Sequence, residues 1–433
     1  MVAVTKEAPY DLTASACYGA GRKIMNAKPY DIVVFGATGF VGKLLCRYLA
    51  SRGSASGLKW AAAARSREKL EALRHFLGPE ANGLPLLVAD AEEEKSMAAM
   101  CAQARVVVST VGPYALYGEP LIKFCSELGT DYCDLTGEPQ WIRRMLDRYE
   151  ASAKASGARI VHCCGFDSIP SDLGVHFLQK HALQRFGRYC THIKMRVRNM
   201  RGGVSGGTVA SLMNAVKEAA EDPAVRRAFL NPYLLCPREN RPDTRQDSIS
   251  RPQYDGAFGA WLAPFVMAGI NTKVVHESNA LLNYAYGRDF RYDEAMLVGA
   301  GPRGRFVAYA IAGALGGFVT MAAIAPARWA LTRFLVPAPG EGPSPQAQRN
   351  GSYDLRFLGV LDDGRTLSAK VTGDADPGYG STSKMLGEAA YCLVLSGKDG
   401  KPGGFWTPAT LLGDNLIDAL QAKAGLLFQL IEA

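Results

Sequence analysis

The stretch FGATGFVGKLL, residues 35–45, follows a run of apolar, mostly β-branched residues and precedes a segment with helical spacing. Glycines at such spacing are typical of a strand that turns tightly into a helix. We expect Gly36 to allow the turn, Gly39 to let a diphosphate approach the backbone, and Gly42 to let the helix pack on a sheet. The unpaired N–H groups at the helix N-terminus would face that diphosphate. The stretch therefore predicts a dinucleotide site.

The chain beyond this stretch alternates short apolar runs with longer segments of good helix formers. Strands alternating with helices predict a parallel sheet that carries helices on both faces. The expected fold class is therefore α/β, with an N-terminal Rossmann domain built on a doubly wound parallel sheet. Its strands are predicted at 30–35, 60–64, 85–90, 104–112, 130–135 and 158–165.

The end of the second strand distinguishes the two nicotinamide dinucleotides. An NAD site places an acidic residue there, whereas WAAAA runs into Arg65, Ser66 and Arg67. A guanidinium pairs well with the 2'-phosphate of NADPH, and a carboxylate would repel it. We therefore expect NADPH. The alternative is that both arginines only flank the start of a helix.

The remaining cofactor contacts follow from the rule that ligands bind outside the carboxyl ends of parallel strands. We expect Asp90, after the third strand, near the adenine, and residues 109–112, after the fourth, beneath the nicotinamide ribose. The predicted cofactor site comprises Gly36, Thr38, Gly39, Phe40, Val41, Gly42, Arg65, Ser66, Asp90, Ser109, Val111 and Gly112.

Two loops at the same edge of the sheet carry the candidate catalytic residues. Tyr114 follows the fourth strand, where a phenol could donate a proton beside the transferred hydride; simple aromatic packing is the alternative. Asp167 and Ser168 follow the sixth strand in CCGFDSIPSD, residues 163–172. A polar residue of that loop could instead cap the next helix. No histidine is placed to activate a nearby cysteine, so thiol catalysis is not favoured.

Length and composition set the domain organisation. The 433 residues exceed the usual size of one core, so two domains are expected. We predict a flexible extension at 1–29, the Rossmann domain at 30–174, an inserted α+β substrate domain at 175–384, and C-terminal helices at 385–433 that return to the Rossmann domain.

Charge and cysteine usage restrict the partners. The net charge of +8 is spread along the chain, which argues against a nucleic-acid partner. Ten cysteines without a CxxC pair favour a reducing, cytoplasmic location and no metal site. Monomer and homodimer stay open.

The segment FVAYAIAGALGGFVTMAAIA, residues 306–325, has twenty residues without a charge and arginines on both sides. Three interpretations remain: a buried or interface helix, insertion into a membrane surface, and a transmembrane span. Internal glycines and alanines weaken the last of these. A location peripheral to a membrane or lipid surface is one of the expectations.

Eight sequence motifs carry a family resemblance: GATGFVG, ARSREKL, STVGPYALYGEPL, DYCDLTGE, GFDSIPSDLG, GEGPS, DPGYGSTSKMLGEAA and FWTPATLLGD. In this order they resemble the saccharopine dehydrogenase-like oxidoreductases, and among them the trans-acting enoyl reductases, over residues 30–430. None of the eighteen tyrosines has a lysine four residues later, so the chain lacks the Tyr/Lys pair of short-chain dehydrogenases.

The resemblance implies an NADPH-dependent enoyl reductase that acts on a lipid or polyketide acyl thioester, carried by an acyl carrier protein, a polyketide synthase or coenzyme A. The hydride would be transferred to the β-carbon, and a proton from Tyr114 or water would be transferred to the α-carbon. Ser168 or backbone N–H groups would stabilise the enolate oxygen. Two alternatives stay open. One is a saccharopine dehydrogenase-like reductase of an amino-acid adduct or imine; the other is a catalytically silent dinucleotide-binding protein at a membrane.

Overall fold

The computed structural model describes residues 28–53, 57–202, 206–334, 342–398 and 400–432. Apart from its last two residues, the predicted extension 1–29 lies outside the described residues. Within them, two sheets of seven strands each form the centre of the protein. This arrangement confirms the predicted α/β class with a doubly wound parallel sheet and a second, mixed α+β part.

The first sheet is parallel throughout, because every neighbouring pair of its strands is joined in the same direction. Its interior strands are largely buried on both faces, as helices on both sides of the sheet require. Its strands are β1 (Tyr30–Phe35), β2 (Trp60–Ala64), β3 (Leu86–Val88), β4 (Ala104–Ser109), β5 (Asp131–Asp134), β6 (Arg159–Val161) and β13 (Gly404–Trp406), in the spatial order β13-β6-β5-β4-β1-β2-β3.

The second sheet is mixed, with one parallel pair, β7 and β10, among antiparallel neighbours. Strands β11 and β12 alternate buried and half-buried residues, so one face covers a core and the other faces outward. The strands are β7 (His192–Arg201), β8 (Gln253–Asp255), β9 (Ala260–Ala263), β10 (Arg291–Leu297), β11 (Ser352–Val360), β12 (Thr366–Gly373) and β14 (Leu426–Ile431), in the order β14-β12-β11-β7-β10-β9-β8.

The helices cover both sheets. They are α1 (Phe40–Arg52), α2 (Arg67–Leu77), α3 (Glu94–Gln103), α4 (Tyr114–Tyr117), α5 (Glu119–Glu127), α6 (Pro139–Ser156), α7 (Ile169–Phe186), α8 (Gly206–Glu221), α9 (Pro223–Leu230), α10 (Ala268–Leu281), α11 (Gly301–Ala323), α12 (Ala325–Phe334), α13 (Pro345–Arg349), α14 (Thr382–Leu395), α15 (Pro408–Leu411) and α16 (Gly413–Ala419). Short 3-10 turns occur at Pro79–Ala81 and Arg238–Asn240, and π-helical turns at Pro377–Ser381 and Leu420–Ala424.

Helix α7 joins the two halves of the molecule. It starts in the loop after β6 of the first sheet and packs against β11 and β12 of the second. A Cβ at Gly174 would lie 2.3 Å from the ring of Phe357, so a glycine is needed for this close approach. The loop before α7 is therefore held between two domains.

The chain passes between the two sheets at positions that differ from the predicted domain boundaries. The boundaries at 174 and 384 fall inside α7 and α14. The segment 385–433 is not made of helices alone, because it also contains β13 and β14. Strand β13 extends the first sheet beside β6, whereas β14 pairs with β12 in the second sheet.

Candidate dinucleotide site and active-site edge

The glycine turn has the shape of a diphosphate cradle. Gly36 has φ of 84°, which favours glycine, and its carbonyl accepts a hydrogen bond from Gly39 N at 2.9 Å. A Cβ on Gly42 would lie 2.1 Å from Gly36 O, so α1 can sit this close only with glycine there. No side chain caps the N-terminus of α1, and no acidic residue lies in its first turn. The helix terminus can therefore accept an anion.

The remaining cradle residues lie around this turn. Thr38 and Val41 are half-buried. Phe40 packs edge-on against Tyr379, with ring centroids 5.1 Å apart, so a residue distant in sequence fixes the side chain at the start of α1. Gly39 is exposed, and a Cβ there would meet only Gly36 O, at 3.3 Å. The fold itself thus has little need of a glycine at 39, whereas a close ligand would.

The two arginines after β2 differ in their bonding. Arg67 is tied to Glu71 by an ion pair of 2.9 Å. Ser66 caps α2, because its hydroxyl accepts a hydrogen bond from Lys69 N. Arg65 is exposed, and it has no hydrogen-bond or ion-pair partner in the part of the chain that the structure describes. Arg65 is therefore the cation that remains available to a ligand.

The ends of β3 and β4 complete the edge where a dinucleotide would lie. Asp90 accepts a hydrogen bond from Glu92 N at 3.1 Å, which forms the turn into α3. Ser109 is buried, and its hydroxyl accepts a weak bond from Val111 N at 3.4 Å. Gly112 approaches α8, since a Cβ there would lie 3.5 Å from Ser211 Oγ. Asp90, Val111 and Gly112 follow the carboxyl ends of parallel strands, and Ser109 is the last residue of β4.

Tyr114 is held in the interior by its hydroxyl group. The hydroxyl donates to Ser109 O at 3.1 Å and accepts from Leu135 N at 3.2 Å, and the ring packs against Trp141. Burial raises the pKa of Tyr114 well above its ordinary value. These contacts favour the alternative of aromatic packing, and a role for this phenol in proton transfer stays a prediction.

The carboxyl group of Asp167 makes few polar contacts with the described residues. Its side chain is half-buried, and no hydrogen bond or ion pair joins it to the other described residues. A Cβ on Gly137, in the loop after β5, would lie 3.7 Å from Asp167 Oδ2. Loss of hydration raises the pKa of Asp167 to about 6. The group can therefore hold or release a proton near neutral pH.

Ser168 is fixed by a buried polar network that the sequence did not indicate. Its hydroxyl donates to Asn271 Oδ1 at 3.0 Å, and Asn271 Nδ2 donates to Glu294 Oε2 at 2.9 Å. Glu294 also accepts from Tyr292 at 2.7 Å, and burial raises its pKa to about 7. Asn271 stands 103 positions from Ser168 in the sequence. Only the packing of α10 against α7 brings them together.

A second buried network supports the loop after β5. Asp134 accepts from Tyr132 at 2.9 Å and lies 2.7 Å from His162 Nδ1. The thiol of Cys163 donates to Thr136 O at 3.0 Å, and burial raises its pKa well above the ordinary value. This sulfur is thus a poor nucleophile. Across the described residues, no group of three or more His, Cys, Asp or Glu side chains has the arrangement of a metal site.

Comparison with known proteins places the chain in a family. A family model described as the saccharopine dehydrogenase NADP binding domain matches residues 32–161. The trans-acting enoyl reductase of Mycobacterium tuberculosis is 39% identical over 406 residues, which cover 91% of this chain and 96% of that protein. The trans-acting enoyl reductase of Mycobacterium ulcerans is 37% identical over 405 residues, with the same coverage.

The chain belongs to the saccharopine dehydrogenase-like oxidoreductases, in the group of the trans-acting enoyl reductases. A further Mycobacterium tuberculosis protein, provisionally named as such a reductase, is 41% identical over 410 residues and covers 92% of this chain and 97% of its own. The predicted family resemblance is confirmed. The protein is an NADP-dependent oxidoreductase, and the cofactor of its N-terminal domain is NADP(H).

The fold of this family extends to solved structures. Saccharopine dehydrogenase (L-glutamate forming) from Saccharomyces cerevisiae matches 93% of this chain and 100% of its own, with a TM-score of 0.52 and 14% identity. At that identity the likeness concerns the fold alone. An added Cβ would collide with backbone at Gly42 and with the side chains of Val111 and Thr110 at Gly36, so this glycine cradle fits the NADP(H) diphosphate.

Proposed function

We propose that this family member reduces the carbon–carbon double bond of an α,β-unsaturated acyl thioester, with NADPH as the preferred cofactor. Bound NADPH supplies the hydride that reaches the β-carbon. The observation that carries the proposal is the half-buried carboxyl group of Asp167, which has no hydrogen-bond or ion-pair partner among the described residues and lies at the edge where the strands end. A carboxyl of pKa about 6 is suited to protonating the α-carbon of the enolate that forms.

The neighbouring groups support this choice of proton donor. The Tyr114 hydroxyl is engaged with two backbone groups, and the Ser168 hydroxyl donates to Asn271. Asp167 has no such partner among the described residues. The hydrogen bond to Asn271 holds Ser168 in the interior at the start of α7.

Two features support the details of cofactor and substrate. The Arg65 guanidinium at the tip of β2 has no partner among the described residues, and the 2'-phosphate of NADPH would pair with it there. The names of the relatives support a substrate carried by a separate acyl-chain assembly system, on which the reductase acts in trans. We propose an apolar acyl chain on such a carrier.

The test follows NADPH absorbance with short and long trans-2-enoyl thioesters, using cofactor deuterated at the transferred position. We expect mass spectrometry of the product to place one deuterium on the β-carbon, and we expect Asp167→Asn to slow this transfer strongly. The matched control is Asp222→Asn, which removes an exposed carboxylate that caps α9 outside the proposed site. Turnover of an aminoadipate semialdehyde and glutamate mixture without turnover of any enoyl thioester would overturn the proposal, as would cofactor binding without any turnover.

A further inference from the structure

Helix α11 is apolar over most of its length but lies largely outside the protein interior. Its most apolar 18-residue window has a mean hydropathy of 1.8, and only 11% of that window is buried. Phe306 is 74% exposed and Tyr309 is 53% exposed. Soluble proteins rarely expose an apolar surface of this length without a partner.

The following helix extends the apolar surface. Ile324 and Trp329 are 53% and 64% exposed. The inner side of this α11–α12 segment, residues 301–334, rests on α8 through a small cluster formed by Met213, Ala322 and Leu331. The segment is therefore attached to the body along one side, and its opposite side has no protein cover among the described residues.

The charged residues in and beside this segment of the sequence are all positive. Residues 295–340 contain four arginines, no lysine and no acidic residue. The Arg305 guanidinium lies 5.5 Å from the ring centre of Trp261, and the ring of Tyr309 lies at 6.0 Å. Arginine beside tyrosine and tryptophan at the rim of an apolar surface is typical of the interface between lipid headgroups and acyl chains. A surface of this charge complements anionic headgroups.

Both ends of α11 are attached to the same folded body. Just before the helix, Trp261 N donates to Gly299 O at 2.8 Å, which joins this end to β9. The last turns pack on α8 and α12. A spanning helix would need its two ends on opposite sides of a bilayer, and this attachment does not allow that. The segment is thus oriented to lie along a surface.

We propose that the α11–α12 segment inserts into the surface of an anionic lipid bilayer and holds the enzyme there. Helix α8 connects this surface to the cofactor edge, because Ser211 of α8 is hydrogen-bonded to Glu138 and lies beside Gly112. The active-site edge is then one helix away from the lipid. Vesicle binding requires no turnover, so this inference stands or falls independently of the proposed reaction.

The test is flotation of the full-length protein with vesicles of phosphatidylcholine, with and without phosphatidylglycerol. We expect flotation with the anionic vesicles that is weakened by high salt and reduced by Arg303→Gln. Phe306→Asp is expected to weaken binding by about tenfold or more, since full burial of a phenylalanine contributes about that factor. Fluorescence of Trp329 is expected to shift to shorter wavelength with anionic vesicles, and Trp329→Phe identifies this signal.

The matched control is Leu395→Asp, which adds the same charge at a leucine that is 69% exposed at the end of α14. It should float like the unmodified protein. If Phe306→Asp shows an altered melting temperature or loses NADPH binding, Ile324→Asp replaces it. The proposal is overturned if the unmodified protein stays with the buffer, or if Phe306→Asp floats equally well. It is also overturned if sedimentation shows a dimer that Phe306→Asp separates, or if carbonate washing leaves the protein in the membrane.

Discussion

Removal of the Arg65 guanidinium should change cofactor preference without changing the fold. Arg65 is exposed and has no partner among the described residues, so Arg65→Ala removes no internal contact. A hydrogen bond to a charged group contributes about 1.5 to 3 kcal/mol, and exposure to solvent places Arg65 in the lower half of that range. We therefore expect NADPH to bind about 10- to 40-fold more weakly, at 1.4 kcal/mol for each factor of ten.

NADH lacks the 2'-phosphate, so its affinity should change by less than about twofold. Titration calorimetry with both cofactors, at low and high salt, measures these values, and the NADPH difference should shrink as salt rises. Arg67→Ala is the matched control, because that guanidinium is held by Glu71. Arg65→Asp should go further and favour NADH. Equal losses for NADPH and NADH in Arg65→Ala, or a larger NADPH loss in Arg67→Ala, would refute the assignment.

Four further substitutions test the glycine cradle, the proposed proton donor and the buried helix α10. Gly42→Ala should destabilise the protein by about 3 kcal/mol, because its Cβ would lie 2.1 Å from Gly36 O. Gly39→Ala should alter stability by less than about 1 kcal/mol and still weaken NADPH binding. Melting curves and NADPH titrations measure these two effects. The protonated form of Asp167 is the proposed proton donor, so kcat/KM for the enoyl thioester should fall as the pH rises through about 6. If Asp167→Asn shows the same fall in kcat/KM, Asp167 is not the proton donor. Glu277 lies in the buried part of α10, and burial raises the pKa of its carboxyl group from 4.5 to about 8. The folded state therefore keeps this proton to higher pH than the unfolded state, and the free energy of unfolding falls as the pH rises between those two values. This loss amounts to about 3 to 5 kcal/mol by pH 8, and denaturant titrations should show that Glu277→Gln removes it. The same pH dependence of the free energy of unfolding in both proteins would contradict this prediction.

The dinucleotide cradle and the first sheet could be predicted because their signals are local. Gly36 and Gly42 act within a single turn, and each strand of the first sheet is a short apolar run followed by a helix. Such patterns depend on neighbouring residues in the chain, so they can be identified without tertiary contacts. The family follows from eight motifs in a fixed order, which the comparisons confirm.

The chemistry at the active-site edge could not be predicted in the same way. From the sequence, Tyr114 was the candidate proton donor, and Asp167 and Ser168 were polar candidates in a second loop. Contacts that form only in the folded protein distinguish the three. Backbone groups of Ser109 and Leu135 occupy the tyrosine hydroxyl, and Asn271 occupies the serine. The pKa of Asp167 depends on its enclosure by loops from other strands.

The sequence by itself determined the α/β class, the glycine turn and the basic end of β2. Tertiary structure alone decided which polar groups are free, that β14 joins the second sheet, and that α11 is exposed rather than buried. The composition of residues 306–325 is compatible with either environment, because hydropathy reports what a segment prefers and not what covers it. Local conformation is set by adjacent residues, whereas burial, hydrogen bonding and pKa are set by residues that only the fold brings together.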